Sequence, residues 1–238
     1  MNKLYKEFAE VYDLIYSFVN YKKASKRLTR LIKKYKKSPG NKLLDVACGT
    51  GTHLFYLQNE FHCTGIDINA EMLEIARKKV RNATFIQADM ITMDLNEKFD
   101  VIICLFSSIG YTKTYENLEK TINNFSNHLN ANGIVIIEPW LEKSIFKEGL
   151  PSMTTYDGED IKIARLNTTN LENDLSTMEM HYLMVRKGEE VQYFKDYHEL
   201  GLFDHEKTIE IMKAANLGVK SFKKGIMVDR GLFIGIKL

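Results

Sequence analysis

Residues 43–53 read Leu-Leu-Asp-Val-Ala-Cys-Gly-Thr-Gly-Thr-His. An apolar run suited to a buried strand enters a tight Gly-Thr-Gly turn, and Leu54, Phe55 and Leu57 follow at helical spacing. Strand, glycine turn and helix in that order bring backbone amides and a helix N-terminus close to a ligand. Gly49 and Gly51 allow an approach that a β-carbon would block. A dinucleotide fingerprint needs a third glycine at position 54, where this chain has leucine, which weighs against a nucleotide-sugar dehydrogenase. Asp45, four residues before the first glycine, suits a ligand that is cationic near the loop. A lone Gly-Thr-Gly is most often just a turn, so its neighbours must decide.

Downstream, strands and helices alternate. CTGIDI is a second strand, followed by the helix AEMLEIARKKV with Asn69 as its N-cap. ATFIQA and FDVIICLF are the third and fourth strands. YENLEKTINNFSNHLN is an amphipathic helix carrying Leu118, Ile122, Phe125 and Leu129, stopped near Asn132-Gly133, and GIVIIEPW is the fifth strand. This order predicts parallel βαβ units in a doubly wound, mostly parallel α/β sheet of seven strands, Rossmann-like, closed by VKSFKK and GLFIGIKL. Ligands of such sheets bind at the carboxyl ends of the strands. Asp67 ends the second strand, where it can accept both hydroxyls of a ribose. Asp89 follows the third, placed for an adenine amino group with Met90 beside it. Taken singly, either aspartate reads equally well as a helix cap.

Between Leu150 and Phe203 the pattern becomes that of antiparallel hairpins, with turns at Asp157-Gly158, Glu172-Asn173-Asp174 and Lys187-Gly188. The expected division is a core of residues 1–149 and 204–238 and an antiparallel insertion of residues 150–203. A helix capped by Asp204 follows the insertion. At the N-terminus Leu4, Phe8, Val11 and Ile15 form one helical stripe. The charges Lys3, Glu7, Glu10 and Asp13 argue against a signal peptide or membrane span. A basic second helix carries Leu28, Leu31, Ile32 and Tyr35 and ends at Ser38-Pro39-Gly40; its charges read as a solvated face.

The chain has 238 residues, 45% hydrophobic and 27% charged, with a formal net charge of +2, which favours neither nucleic acid nor a strongly anionic partner. Three cysteines, two of them in apolar strands, suit a reducing cytoplasm rather than a disulfide framework. The six histidines show no paired spacing for a metal, and none is expected.

DVACGTGTH, GIDIN and QADM closely resemble the class I S-adenosylmethionine-dependent methyltransferases. That resemblance implies S-adenosylmethionine as cofactor, with Gly49 and Gly51 bordering its methionine part near Asp45, Asp67 on the ribose, and Asp89 and Met90 at the adenine. Ala47, Ile68 and Leu105 complete the implied cofactor site. VYDLIY, FSSIGY, EPW, DYHELGLF and RGLFIG extend the likeness to the N,N-dimethyltransferases of nucleotide-linked 3-amino-deoxyhexoses. Two positions depart from it: some members carry histidine in place of Tyr111, and several a second tryptophan in place of Leu141.

The implied chemistry is in-line methyl transfer to an amine, which must first lose a proton because a simple ammonium has a pKa near 10. Tyr12, Tyr111 and His198 are the implied catalytic candidates. Ser107, Ser108, Trp140 and Arg230 are the implied substrate-binding ones, with Arg230 meeting the diphosphate. Each has an ordinary structural alternative, from core packing for the aromatics to a salt bridge for Arg230. The hairpin insertion is expected to cover the acceptor, and its edge strands to pair two subunits. A methyltransferase for another amine or hydroxyl, and a non-catalytic adenosylmethionine-binding protein, stay open.

Overall fold

The computed structural model describes residues 3–5, 8–227 and 230–238; Glu7, counted among the N-terminal charges, lies outside them. The helix expected from the Leu4-to-Ile15 stripe begins only at α1, Ala9–Ile15, although Leu4, Val11 and Ile15 are all buried. The second helix, α2 (Tyr21–Tyr35), starts where the Asn20 side chain accepts from the Lys23 amide at 2.9 Å. It buries Leu28 and Ile32.

Then follow β1 (Lys42–Val46), α3 (Thr52–Leu57), β2 (His62–Asp67), α4 (Ala70–Lys79), β3 (Ala83–Gln87) and β4 (Phe99–Cys104). A single 3-10 turn, Ser108–Thr112, leads into α5 (Tyr115–Asn127) and β5 (Leu129–Ile137). The expected stop at Asn132-Gly133 is corrected: α5 ends earlier, and Leu129 opens a strand. Asn132 has a φ of 62°, and a β-carbon on Gly133 would lie 2.9 Å from the Asn130 carbonyl oxygen. The Asn-Gly pair is thus a bulge inside β5, where the pairing with β4 shifts register.

The insertion forms its own antiparallel sheet: β6 (Ser152–Asp157), β7 (Ile161–Glu172), β8 (Leu175–Arg186) and β9 (Gln192–Gly201). Helix α6 (His205–Ala214) follows, with the Asp204 side chain accepting from the Lys207 amide at 2.9 Å as expected. β10 (Leu217–Phe222) and β11 (Leu232–Lys237) close the chain.

The main sheet has the order β10-β11-β5-β4-β1-β2-β3. Its pairings from β5 through β3 are parallel, while β10 and β11 are antiparallel additions. β4 is buried at every position, the burial expected of a central parallel strand. The strand order reverses between β4 and β1, which opens a crevice at their carboxyl ends. Apolar clusters pack on both faces of the sheet, and a third joins α1 to the insertion through Val11, Ile15, Tyr182 and Phe194.

Candidate active site

Two cavities meet over the carboxyl ends of the parallel strands. The first, about 440 Å³, lies among Ala47, Gly49, Asp67, Ile68, Asp89 and Met90. The second, about 490 Å³, lies between the core and the insertion and reaches Trp140, Arg165, His198 and Arg230. Tyr5, Tyr12, Ser108 and Tyr111 line both.

The first cavity is shaped by the loop after β1. Gly49 has a φ of +54°, and a β-carbon on it would meet nothing within 4 Å, so the main chain faces open space. Gly51, expected beside Gly49 at the cofactor, borders neither of these two cavities. Its φ is +73° and its hydrogen face packs on α4, where a β-carbon would come within 3.1 Å of the Ala76 β-carbon.

Asp67 is buried; its Oδ2 accepts from the Gly49 amide at 2.9 Å and its Oδ1 from the Asn69 amide at 2.9 Å and side chain at 3.1 Å. One carboxylate oxygen is therefore saturated, so acceptance of two further hydroxyls is reduced to what Oδ2 has left. Asn69, expected to cap α4, instead turns its side chain back onto Asp67 and makes no cap bond. Asp89 faces the cavity while its Oδ1 accepts from the Ile91 amide at 2.8 Å.

Asp45 and Leu105 sit apart, on a smaller recess behind the loop with Tyr21, His53 and Phe106. No hydrogen bond or ion pair holds the Asp45 side chain among the described residues. Burial, with the Asp67 charge adding to it, raises its carboxyl well above the usual range. A buried carboxylate of this kind is stabilised by a bound cation. The open main chain at Gly49 and the three carboxylates fit a sulfonium ligand bearing an amino group and carrying no phosphate.

The second cavity has the opposite character. Arg230 lies 4.3 Å over the Trp140 ring and donates to Ser107 Oγ at 2.6 Å. Ser107 in turn donates to the Pro139 carbonyl at 2.9 Å, so its hydroxyl holds Arg230 in place rather than standing open to a ligand. Glu138, buried between the Phe106 amide at 3.0 Å and the Met227 amide at 2.5 Å, ties the Arg230 loop to the end of β4.

Arg165 escaped the sequence reading. It is 92% buried, donates to Tyr16 at 3.2 Å and Thr154 at 2.9 Å, and its Nε has no partner among the described residues. No carboxylate pairs with it among the described residues. The signal was present: Ile161 and Ile163 point inward along β7, and the same alternation carries Arg165 inward.

Where the cavities join, Tyr111 shares hydrogen bonds with His198 Nδ1 at 2.8 Å and with the Tyr5 hydroxyl at 3.1 Å. Burial pushes His198 down to about 4, so its ring is neutral at pH 7. Tyr12 faces both cavities, and its hydroxyl has no partner among the described residues. Tyr5 also went unremarked in the sequence, because attention to the apolar stripe of Leu4, Phe8, Val11 and Ile15 passes over it.

Residues 43–133 match the methyltransferase domain family. The chain is 34% identical to a dTDP-3-amino-3,4,6-trideoxy-alpha-D-glucopyranose N,N-dimethyltransferase of Streptomyces venezuelae, over 97% of this chain and 98% of that protein. It belongs to the sugar N,N-dimethyltransferases. A dTDP-3-amino-3,6-dideoxy-alpha-D-glucopyranose N,N-dimethyltransferase of Streptomyces fradiae is 31% identical, over 97% of this chain and 91% of that one. Among solved structures, DesVI of Streptomyces venezuelae superposes with a TM-score of 0.91 at 34% identity, covering 97% of this chain and 98% of that one. The sugar N-methyltransferase KedS8 from Streptoalloteichus superposes with a TM-score of 0.87 at 30% identity, covering 95% of this chain and 92% of that one. This methyltransferase is S-adenosylmethionine-dependent, and no helix among its described residues is long and apolar enough to cross a membrane.

Proposed function

We propose that this methyltransferase N-methylates the amino group of a nucleotide-linked aminodeoxysugar. The observation that carries the reading is the charge contrast of the two joined cavities: carboxylates line one, guanidinium groups the other, and tyrosines form the junction. A cationic cofactor and an anionic acceptor fit those two ends. The two named relatives both act on dTDP-linked amino sugars.

S-adenosylmethionine supplies an activated methyl, whose bonding pair returns to sulfur as the nitrogen lone pair forms the new bond. The chain's own part is placement and shielding. Ala47, Gly49, Asp67, Ile68, Asp89 and Met90 form the cofactor seat, with Asp45 and Leu105 behind the loop. Arg165 and Arg230 face the diphosphate, and Trp140 and Ser108 wall the acceptor. A guanidinium with unsatisfied donors matches phosphate oxygens. Tyr12, with its hydroxyl open, is assigned to the amine, and Tyr111, braced by His198 and Tyr5, to the sugar. Reaction follows when the amine stands about 3–3.5 Å from the methyl carbon. The proton leaves to water before transfer, so no side chain is required as base.

Incubation with labelled S-adenosylmethionine and a panel of aminosugar nucleotides, phenols and simple amines tests the reading. Label on the sugar nitrogen is expected; label on a phenol alone would overturn it.

Residues 150–203 form the acceptor-covering insertion in this reading. On the outer face of its sheet Met153 pairs with Leu166 and Leu183 with Tyr193, and Tyr197 is exposed beside them, apolar groups suited to a second copy of the chain. Light scattering should find a dimer at micromolar concentration, and a monomer would remove that part of the proposal. Three cysteines without disulfide partners fit a reducing cytoplasm.

A further inference from the structure

Helix α1 has only seven residues, too few to hold its shape alone, so its contacts place it. Its apolar face packs on the insertion, and Glu10 pairs there with Arg186. Toward the seven-stranded domain, Asp13 is its only hydrogen-bonded side chain among the described residues. Asp13 Oδ1 accepts from Thr50 Oγ1 at 2.6 Å and Thr52 Oγ1 at 3.2 Å, and Oδ2 pairs with the Lys79 ammonium. The same ammonium donates to Thr50 at 3.0 Å and Thr52 at 2.8 Å. All three ammonium protons are thereby used, and α1, the glycine loop and α4 are joined at one point.

Thr50 is 2% exposed and lies between Gly49 and Gly51, so the clasp grips the middle of the loop that shapes the first cavity. Tyr12 is the neighbour of Asp13 on α1. About 100° of helical rotation separates the two side chains, so one reaches the loop while the other reaches the cavities. Among the described residues the Tyr12 hydroxyl has no partner; its ring packs against Tyr5 and Tyr16, and the α1 backbone that carries it is held on the core side by Asp13.

We propose that Asp13 is a positioning residue: by keying α1 to the Gly-Thr-Gly loop it sets Tyr12 at the cavity junction and keeps the first cavity roofed. The inference rests on the methyl-transfer reading for its effect on turnover. Its effect on ligand retention is independent of the acceptor's identity.

The test uses the full chain as wild type, Asp13→Ala, Tyr12→Phe and the double variant. Release of S-adenosylhomocysteine, followed by stopped flow, needs no acceptor and should be roughly tenfold faster in Asp13→Ala, an effect on dissociation rather than association. With an acceptor, Asp13→Ala should lower kcat by up to about fivefold, with a smaller change in acceptor KM. If Asp13 acts through Tyr12, the double variant should have nearly the kcat of Tyr12→Phe alone. Unchanged product release, or kcat losses that multiply, would overturn the proposal. Lys79→Met reads the same junction should Asp13→Ala fail to fold. A chain that methylates no acceptor would sink the functional reading, while the release measurement would still judge the clasp.

Discussion

Asp45, Asp67 and Asp89 come from three successive strand-and-turn units of one parallel sheet, whereas Arg165, Arg230 and Tyr12 come from the insertion, the closing hairpin and α1. The side proposed for the cofactor is thus fixed by main chain: a glycine turn, strand ends and amides bound to a carboxylate. The side proposed for the acceptor is assembled from side chains far apart in sequence that meet only in the folded chain. The first arrangement suits a ligand common to many reactions, and the second can change with the acceptor while the first stays the same.

That contrast is open to direct attack, most severely at Arg165. Arg165→Met should cut acceptor affinity by about 2–5 kcal/mol, or about 30- to 5,000-fold, because a desolvated cation facing an anion is lost. It should also raise the melting temperature, since an unpaired buried charge is replaced by an apolar side chain of similar length. Calorimetry with the acceptor nucleotide and a thermal melt check both signs; weakened S-adenosylhomocysteine binding would show that the two sides are not separable.

Each side also holds one neutral buried histidine, His53 behind the glycine loop and His198 beside Tyr111, both pushed by burial from 6.5 to about 4. Between those pH values the unfolded chain takes up protons that the folded chain refuses. Stability is therefore complete above pH 6.5 and falls as the pH drops toward 4, by at most about 3 kcal/mol for each ring. Denaturant melts at pH 7 and pH 4.5 should show this loss, and His53→Gln or His198→Gln should each remove part of it. A slope unmoved by both variants would mean that neither ring is buried neutral.

Asp67→Ala should weaken cofactor binding by about 1–3 kcal/mol, through its remaining hydrogen-bonding capacity and through a Gly49 amide left without its acceptor. Unchanged affinity would remove Asp67 from the seat. At the junction the expected effects are smallest. Tyr12→Phe and Tyr111→Phe should each lower turnover about fivefold, one neutral hydrogen bond's worth, without altering S-adenosylhomocysteine affinity. A cofactor effect from either would move that tyrosine to the other side of the comparison.

The same division explains what the sequence disclosed. Strand order and the glycine loop were legible because hydrophobic period and glycine spacing are local signals. The packing of Gly51 on α4 was not legible, because a positive φ against a helix and a close approach to a ligand select the same residue. The Asn132-Gly133 bulge looked like a stop because turn residues at a bulge and at a boundary are alike. Tyr111 and His198, 87 residues apart, were each visible as candidates, but their 2.8 Å contact is a product of tertiary folding. Arg165 was hidden by its own alternation, since a charged residue in the inward phase of a strand reads as an irregularity until the cavity beyond it is seen.

Trp140 is the one tryptophan in the chain, and it lies beneath the Arg230 guanidinium at the acceptor side, away from the cavity assigned to the cofactor. Its indole Nε1 is buried without a hydrogen-bond partner among the described residues. The intrinsic fluorescence of this protein is therefore a built-in optical probe of one compartment. An acceptor that draws Arg230 onto its phosphates alters the charge above the indole and so the emission, which lets occupancy of the acceptor side be followed in real time without a label.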